Sequence, residues 1–271
     1  MTSSLANRPV LITGAGRGLG RSYALHLAGL GARVVVNDRD DEAHAVADEI
    51  RAGGGEAVAV VGSVSDWDFA GELVQRVLDT YGSLYGVVAN AGLYHVTPAP
   101  QETPDQIRAS IDSNLVGTLH VGIRAMQPML AAGSGVIVTT TSSAALGLAE
   151  ASTYSAAKGA VMSLTYSWAI DLAGTGVRVN CIRPRALTRM SSVRGSVRPG
   201  ARAPEEVAPV VAYLLDDRSA HLNGEVLSFD GATLALVRRA ELVSLPVPQD
   251  WSLDAISATV DAGLPAPHRQ G

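Results

Sequence analysis

The segment Val10-Leu11-Ile12-Thr13-Gly14-Ala15-Gly16-Arg17-Gly18-Leu19-Gly20 joins a short apolar run to a glycine-rich turn. A bounded apolar run of this length predicts a buried strand, and the residues through Ala28 follow a helical pattern. Glycines at such a junction permit a tight turn and bring a pyrophosphate close to the free N–H groups that begin the helix. The segment therefore predicts a strand–turn–helix unit that binds a dinucleotide, although glycine-rich turns also serve packing alone.

Strand and helix patterns alternate along the rest of the chain. Short β-branched or apolar runs predict the strands Val10–Thr13, Arg33–Asn37, Ala57–Val61, Tyr85–Ala89, Val136–Thr140, Val177–Ile182 and Glu225–Phe229. Helical patterns end at Ala28 and Ala52 or cover Trp67–Tyr81, Asp105–Leu130, Thr153–Ala173 and Glu205–Leu215. This alternation predicts an α/β fold with a doubly wound parallel sheet covered on both faces. We expect one domain over residues 1–271, with a core at about 8–232 and a C-terminal extension at about 233–271.

Composition and charge narrow the functional class. The chain has 271 residues, of which 47% are hydrophobic and 17% charged, and this is typical of a globular protein. The net charge is −5 and the arginines form no basic stripe, so we expect no nucleic-acid partner. The segment Met1–Pro9 has no charged start followed by an apolar core, and no apolar run approaches a membrane span. We expect a cytoplasmic protein without a metal site or membrane association, in which the single Cys181 is a buried structural thiol.

Asp38 follows the second predicted strand, 18 residues after Gly20. A carboxylate at this place accepts hydrogen bonds from ribose hydroxyls and repels a 2′-phosphate, which favours NAD over NADP. Arg17 and Arg39 argue the other way, because guanidinium groups beside the ribose neutralise a phosphate. A solvated turn aspartate is the simpler alternative. We expect NAD as the cofactor, with NADP as the less favoured alternative.

Tyr154 and Lys158 form a second informative pair, in Thr153-Tyr154-Ser155-Ala156-Ala157-Lys158. Lys158 is the only lysine among the 21 basic residues, and residues four apart lie on one face of a helix. Lowering the pKa of a phenol from about 10 to about 7 takes roughly 4 kcal/mol, and a cation about 5 Å away supplies roughly 3. A cationic nicotinamide would supply the rest. The pair therefore predicts a tyrosine base beside such a cofactor, whereas the simpler alternative is an ordinary helix with a surface lysine.

Further motifs follow in a fixed order along the chain. They are Thr13–Gly20, Asn90-Ala91-Gly92 after the fourth predicted strand, Ser113–Thr118 around Asn114, the serines after the fifth strand, and Tyr154 with Lys158. Together they resemble the compact branch of the short-chain dehydrogenase/reductase family, and the resemblance runs from about Val10 to Gly231. The ordered set is far more specific than any one motif.

The resemblance implies a single Rossmann-fold domain with a seven-stranded sheet, usually assembled as a homotetramer or dimer. It implies hydride transfer between NAD and a secondary alcohol or ketone, such as a hydroxyacyl, steroid-like or other small carbonyl substrate. Tyr154 is then the acid/base, Lys158 holds the nicotinamide ribose and lowers the pKa of the phenol, and Asn114 anchors a water. The implied cofactor-binding residues are Gly14, Arg17, Gly18, Leu19, Gly20, Asp38, Ser63, Val64, Asn90, Ala91, Gly92, Tyr154, Lys158, Pro184 and Thr188.

The family's serine, which bonds the substrate oxygen, falls at a position that this chain fills with Thr141. Ser142 and Ser143 follow it. Counting from Gly135 along the fifth strand favours Ser142, because alternate residues of a strand point to opposite faces.

Two other positions depart from the family pattern. Arg185 follows Pro184 where the family has glycine, and this is expected to alter the nicotinamide loop, although Thr188 is still placed to bond the carboxamide. Ser63 stands where the family has an aspartate near the adenine, which weakens one contact.

The loops around the site carry less information. Tyr94 and His95 follow the Asn-Ala-Gly run and are interpreted as ordinary loop residues, with side chains that face the substrate as the alternative. The segment Met190–Pro204 is expected to be a mobile lid whose arginines meet an anionic group on the substrate, with a merely solvated loop as the alternative.

Three other functional readings remain open. One is a non-catalytic nucleotide-binding regulatory or scaffold protein of the same fold, against which the retained Lys158 argues. The second is an NADP-dependent ketoreductase. The third, a sugar epimerase or dehydratase of the extended branch, would need a longer chain and a tighter glycine motif.

Overall fold

The apolar runs form one sheet of eight strands in the computed structural model, which describes residues 3–186, 202–247 and 251–263. The strands are β1 (Pro9–Thr13), β2 (Arg33–Asp38), β3 (Glu56–Val61), β4 (Gly86–Ala89), β5 (Gly135–Thr140), β6 (Val177–Pro184), β7 (Val226–Phe229) and β8 (Leu234–Leu236). Their order is β3-β2-β1-β4-β5-β6-β7-β8, parallel as far as β7, with β8 antiparallel to β7. The expected doubly wound parallel sheet is confirmed. The sequence missed only β8, a strand of three exposed residues with no alternating pattern.

The helices are α1 (Gly18–Gly29), α2 (Glu42–Ala52), α3 (Trp67–Tyr81), α4 (Pro104–Ile111), α5 (Gly117–Ala132), α6 (Ser152–Asp171), α7 (Pro204–Leu215) and α8 (Leu253–Gly263). The single helix predicted over Asp105–Leu130 is interrupted by a π-helical segment, Asp112–Val116, which separates α4 from α5. The segment covers only five residues, and the sequence did not predict it. The sequence also predicted no element where α8 lies.

Each face of the sheet carries its own apolar core. In β1, Val10 and Ile12 pack with residues of α1, α2 and α7, while Leu11 between them packs with residues of α3, α5 and α6. Side chains alternate along a strand, so a continuous apolar run serves both cores. Both faces are therefore buried, and the open carboxyl edge of the sheet remains for binding.

The chain divides into two compact units, residues 1–237 and residues 238–271. The first unit contains the whole sheet. The second contains α8, whose Ile256 and Val260 line an apolar cleft together with Leu245 and Trp251. Within the described ranges, no helix is long and apolar enough to cross a membrane.

Helices α5 and α6 approach each other closely at Gly122. A Cβ built there would lie 2.3 Å from the ring of Trp168, which is 7% exposed. The approach brings α6, with Tyr154 and Lys158, against the helix that follows Asn114.

We expect Gly122→Ala to lower the free energy of unfolding by about 1–3 kcal/mol, because the added methyl group overpacks the contact with Trp168. The matched control is Gly29→Ala at the end of α1, where an added Cβ would meet nothing within 4 Å. This control is expected to be neutral or to stabilise by up to about 1 kcal/mol. Chemical denaturation of both variants makes the comparison, and equal effects would contradict the proposed tight packing.

Candidate active site

The turn between β1 and α1 is built so closely that side chains are excluded from it. Gly14 has φ +61° and Gly18 has φ +55°. A Cβ at Gly20 would lie 2.2 Å from the Gly14 carbonyl oxygen. The helix begins after Arg17, an extended residue whose side chain makes no capping bond. The turn thus presents uncapped N–H groups at the positive end of a helix, which suits the phosphates of a dinucleotide.

The loop after β4 is tied to this turn by four hydrogen bonds. The N–H groups of Asn90 and Ala91 both donate to the Thr13 hydroxyl oxygen, each at 3.0 Å. The Asn90 amide donates to the Thr13 and Gly14 carbonyl oxygens, at 3.1 and 3.2 Å. A Cβ at Gly14 would lie 2.7 Å from the Ala91 Cα. The Asn90–Gly92 run therefore braces the glycine turn from the neighbouring strand.

Asp38, at the end of β2, lies against the same turn. Its carboxylate is 7% exposed and accepts the Gly16 N–H at 2.9 Å. The two arginines that were expected to oppose its charge both meet Asp40, Arg17 at 2.9 Å and Arg39 at 3.5 Å. Arg17 also approaches Glu42 at 3.2 Å. Their positive charge is therefore already shared with neighbouring carboxylates.

The expected adenine side of the site lies at the end of β3. Val64 is 6% exposed and packs against Gly117, where a Cβ would lie 2.6 Å from the valine side chain. Ser63 is exposed, and its hydroxyl is 2.8 Å from that of Ser65. Val64 thus belongs to a packed wall, whereas Ser63 sits at the surface.

The end of β6 accommodates arginine in place of the family's glycine. Arg185 donates its backbone N–H to the Phe229 carbonyl oxygen at 2.9 Å and so extends the pairing with β7 beyond Pro184. Its φ is not positive. Glycine is therefore not required at this position. Thr188 lies outside the described residues, and so do residues 190–201 of the predicted lid Met190–Pro204.

Asn114 lies in the π-helical segment and is fully buried. Its amide nitrogen donates to the Leu93 carbonyl oxygen at 2.7 Å and to the Ser110 carbonyl oxygen at 2.8 Å. Its Oδ1 has no hydrogen-bond partner among the described residues. A Cβ at Gly92 would lie 2.6 Å from this oxygen and 3.5 Å from the Lys158 ammonium nitrogen. Gly92, in the loop that braces the glycine turn, thus lies next to the Asn114 amide oxygen and the Lys158 ammonium group.

Lys158 is 4% exposed and donates to the Thr140 carbonyl oxygen at 3.0 Å. Burial lowers the pKa of its ammonium group to about 8, because the charged form loses its hydration. The surface-lysine alternative is therefore wrong. The ammonium nitrogen lies 5.8 Å from the centre of the Tyr154 ring.

Tyr154 is 7% exposed, and its ring meets that of Tyr94 edge-on, with centroids 4.8 Å apart. Burial raises the pKa of the phenol, a hydrogen bond with the Ser142 side chain lowers it, and the neighbouring Tyr94 raises it; the net shift is upward. The sequence argument predicted the opposite direction. It counted the charge of Lys158 but omitted the desolvation of the phenolate, and the ammonium points to the Thr140 carbonyl instead.

The three candidate hydroxyls after β5 have different surroundings. The Thr141 hydroxyl donates to the Lys158 carbonyl oxygen at 2.7 Å, so it is occupied by the backbone of α6. The Ser142 side chain lies close enough to Tyr154 to lower the pKa of the phenol, and it accepts the Ala144 N–H at 3.2 Å. Ser143 is exposed and begins a short 3-10 turn. Of these side chains, Ser142 is the one beside the phenol.

Sequence reasoning missed two neighbours of Tyr154. Tyr94, interpreted as an ordinary loop residue, packs on the phenol ring. Glu102 bonds the residues just before Tyr154, Ser152 and Thr153. The stretch around Glu102 has no motif, so the only available signal was that Tyr94 is an aromatic residue directly after the Asn-Ala-Gly run.

A cavity of about 600 Å³ lies elsewhere, at the amino edge of the sheet. Its two arginines are already engaged. Arg8 forms a bidentate salt bridge with Asp217, with both N···O distances at 2.8 Å. Arg178 donates to the carbonyl oxygens of Ser219 and Leu222. This cavity has no acid/base pair like Tyr154 and Lys158, so the carboxyl edge is the candidate site.

Comparison with known proteins agrees with this geometry. The family model for the short chain dehydrogenase matches residues 8–198. The cis-4-hydroxycyclohexanecarboxylate dehydrogenase of Sinomonas cyclohexanicum is 36% identical over 87% of this chain and 100% of its own length. The cyclohexanol dehydrogenase of Acinetobacter sp. (strain SE19) is 36% identical over 86% of this chain and 97% of its own length.

Two solved structures of dehydrogenases are also similar to this chain. A short chain dehydrogenase from Mycobacterium avium has a TM-score of 0.86 and 31% identity, covering 96% of this chain and 97% of its own. A putative NAD(P)-dependent gluconate 5-dehydrogenase from Beutenbergia cavernae, with bound NADP at low occupancy, has a TM-score of 0.79 and 33% identity. That alignment covers 85% of this chain and 98% of the other. From the matched motifs, the sheet and these relatives, we conclude that this chain belongs to the short-chain dehydrogenase/reductase family.

Proposed function

We propose that this protein is an NAD-dependent dehydrogenase that interconverts a small secondary alcohol and its ketone. The observation that carries the proposal is the meeting of Tyr154, Ser142 and Lys158 at the carboxyl edge, joined through Gly92 to the turn after β1. The glycine turn fits a dinucleotide because side chains are excluded there and no side chain caps α1. When bound, the nicotinamide supplies the hydride donor or acceptor.

The chain's own residues handle the substrate oxygen and its proton. In the direction of oxidation, Tyr154 takes the proton from the alcohol, and in reduction it returns it. Ser142, which lies beside the phenol, holds the substrate oxygen as a second donor. Because burial keeps the pKa of Tyr154 high, the base becomes effective only when positive charge adjoins the phenol.

We assign Lys158 and Asn114 to the inner side of the same site. The Lys158 ammonium group is the buried cation of the site, and its lowered pKa of about 8 leaves it mostly charged at neutral pH. The buried Asn114 oxygen that lacks a partner among the described residues would accept a hydrogen bond from a water that relays protons. A scaffold protein would have no use for a buried ammonium, which supports the catalytic reading.

For the cofactor, we propose NAD rather than NADP. Asp38 lies at the turn with its carboxylate held by the Gly16 N–H, where it would meet the adenosine ribose. Arg17 and Arg39 are paired with acidic neighbours, which weakens their attraction for a 2′-phosphate. The homotetramer or dimer and the cytoplasmic location expected from the sequence stay predictions.

For the substrate, we propose a class of compound and not a single molecule. Relatives named for cyclohexanol and for 4-hydroxycyclohexanecarboxylate make alicyclic secondary alcohols the first candidates. A relative named 3-oxoacyl-[acyl-carrier-protein] reductase makes hydroxyacyl thioesters the next candidates. A panel of these alcohols, tested with NAD and NADP, tests the proposed function directly. Absence of turnover with the whole panel would count against it.

We expect Tyr154→Phe to abolish turnover while the affinity for the cofactor changes by less than about twofold, because the change removes only the oxygen that carries the proton. Steady-state kinetics and fluorescence titration with the reduced cofactor measure the two effects. The control is Tyr81→Phe on α3, which removes a hydroxyl far from the site in sequence. Retention of more than a few per cent of kcat in Tyr154→Phe would overturn the assignment.

Between the two serines, Ser142→Ala is expected to lower kcat by about 10²–10³, the usual cost of one lost oxyanion donor. Ser143→Ala, one residue along, should change kcat by less than about twofold, because its side chain is exposed. The two alanine variants serve as controls for each other. A larger loss at Ser143 would show that the assignment of the serine is wrong.

For the cofactor, we expect a higher kcat/KM with NAD than with NADP in the wild type. Asp38→Asn should reduce this ratio by about tenfold or more, because removal of one repulsive charge is worth about 1.4 kcal/mol. Asp41→Asn, at a neighbouring exposed carboxylate, is the matched control and should change the ratio much less. A wild-type preference for NADP would overturn the proposal.

A further inference from the structure

Helix α6 carries Tyr154 in its first turn, yet it begins without a cap of its own. The residue before the helix is Ala151, which has no side chain that can accept a hydrogen bond, and no capping bond is present there. The residue before that, Glu150, has φ +58°, an unusual backbone conformation for a residue other than glycine. The start of the helix that positions the phenol therefore depends on groups from elsewhere in the chain.

Glu102, in the loop before α4, bonds the side chains of the first two residues of this helix. Its carboxylate accepts the Thr153 hydroxyl at 2.9 Å and the Ser152 hydroxyl at 2.5 Å. Its other oxygen is 3.1 Å from the His95 Nε2. The side chain of Glu102 is only 6% exposed, whereas Ser152 lies at the surface.

The charge of Glu102 suits this position. Burial alone would raise the pKa of the carboxyl group, but hydrogen bonds from Ser152, from the side chain and backbone of Thr153, and from His95 hold it below its usual range. Glu102 is therefore a carboxylate at neutral pH. A negative charge at the start of a helix interacts favourably with the unpaired N–H groups there.

The same loop reaches Tyr154 from a second direction. Tyr94, eight residues before Glu102, packs edge-on against the phenol ring. Between them, the Thr97 N–H donates to the Glu150 carbonyl oxygen at 2.8 Å. The loop is thus fastened to the residues on the N-terminal side of Tyr154 while one of its rings contacts Tyr154 itself.

We propose that Glu102 is a positioning residue for Tyr154: it fastens the first turn of α6 to the loop before α4 through the Ser152 and Thr153 hydroxyls, and so holds the phenol beside Ser142. This inference rests on the proposed function of Tyr154 as the acid/base. Thr153 directly precedes Tyr154, so a loosened first turn displaces the hydroxyl. Glu102 itself acts through the helix and is not assigned a contact with the substrate.

The test compares Glu102→Ala and Glu102→Gln with Glu72→Ala, a control at an exposed glutamate on α3. Two measurements are made on the full chain: steady-state kinetics with the best alcohol of the panel, and hydrogen exchange of the amides in the first turn of α6. The exchange measurement requires neither substrate nor cofactor.

Glu102→Ala is expected to lower kcat by about tenfold to a hundredfold while KM for NAD stays within about twofold, because displacement of the phenol affects the chemical step. Exchange in the first turn of α6 should rise by about tenfold or more, with α3 unchanged. Glu102→Gln should recover part of both effects, since its amide oxygen still accepts hydrogen bonds but carries no charge. It also serves as the test variant if Glu102→Ala does not fold.

Unchanged exchange in α6, or a kcat within about twofold of the wild type, would overturn the inference while leaving the proposed function intact. A loss of active protein with kcat per folded site unchanged would show that Glu102 only stabilises the fold, and this also overturns it. A wild type without turnover would instead remove the proposed function, and the positioning role of Glu102 with it.

Discussion

The hydroxyl of Thr13 makes the connection on which the candidate site depends. It accepts the N–H groups of Asn90 and Ala91, and so fixes the loop after β4 against the turn after β1. These strands are neighbours in the sheet, and the order of the strands reverses between them, which opens a crevice at the carboxyl edge. Ala91 lies against Gly14 and Gly92 lies beside Lys158, so the connection sets the spacing between the glycine turn and the acid/base pair.

The site also contains buried polar groups that lower the stability of the folded protein. Lys158 buries an ammonium group that donates to the Thr140 carbonyl oxygen, and Asn114 buries an oxygen with no partner among the described residues. Groups left in this state destabilise a protein and are found mainly where chemistry requires them. The two apolar cores on either face of the sheet offset the cost, because both are continuous and neither includes these side chains.

The sequence predicted the ends of β1 to β7 to within one or two residues, because apolar runs bounded by glycine or acidic residues indicate burial directly. It did not predict features that depend on contacts between distant segments. The carboxylate that bonds the first turn of α6 belongs to Glu102, 50 residues before Ser152, and no local pattern connects the two. The burial that raises the pKa of the Tyr154 phenol was missed for the same reason, since it depends on tertiary neighbours such as Tyr94.

The π-helical segment Asp112–Val116 has a consequence for how this region can change. A π turn is equivalent to one residue inserted into an α-helix, so removing one residue there would leave a continuous helix from α4 through α5. Because the wide π turn accommodates the extra residue, α5 would keep the face that it now presents, and Val121 and Met129 would stay in the core that they now fill. Asn114 lies within the segment itself, so the deletion would displace the buried amide and leave the packing of α5 in place. A change in length at this point therefore acts on the site and not on the core.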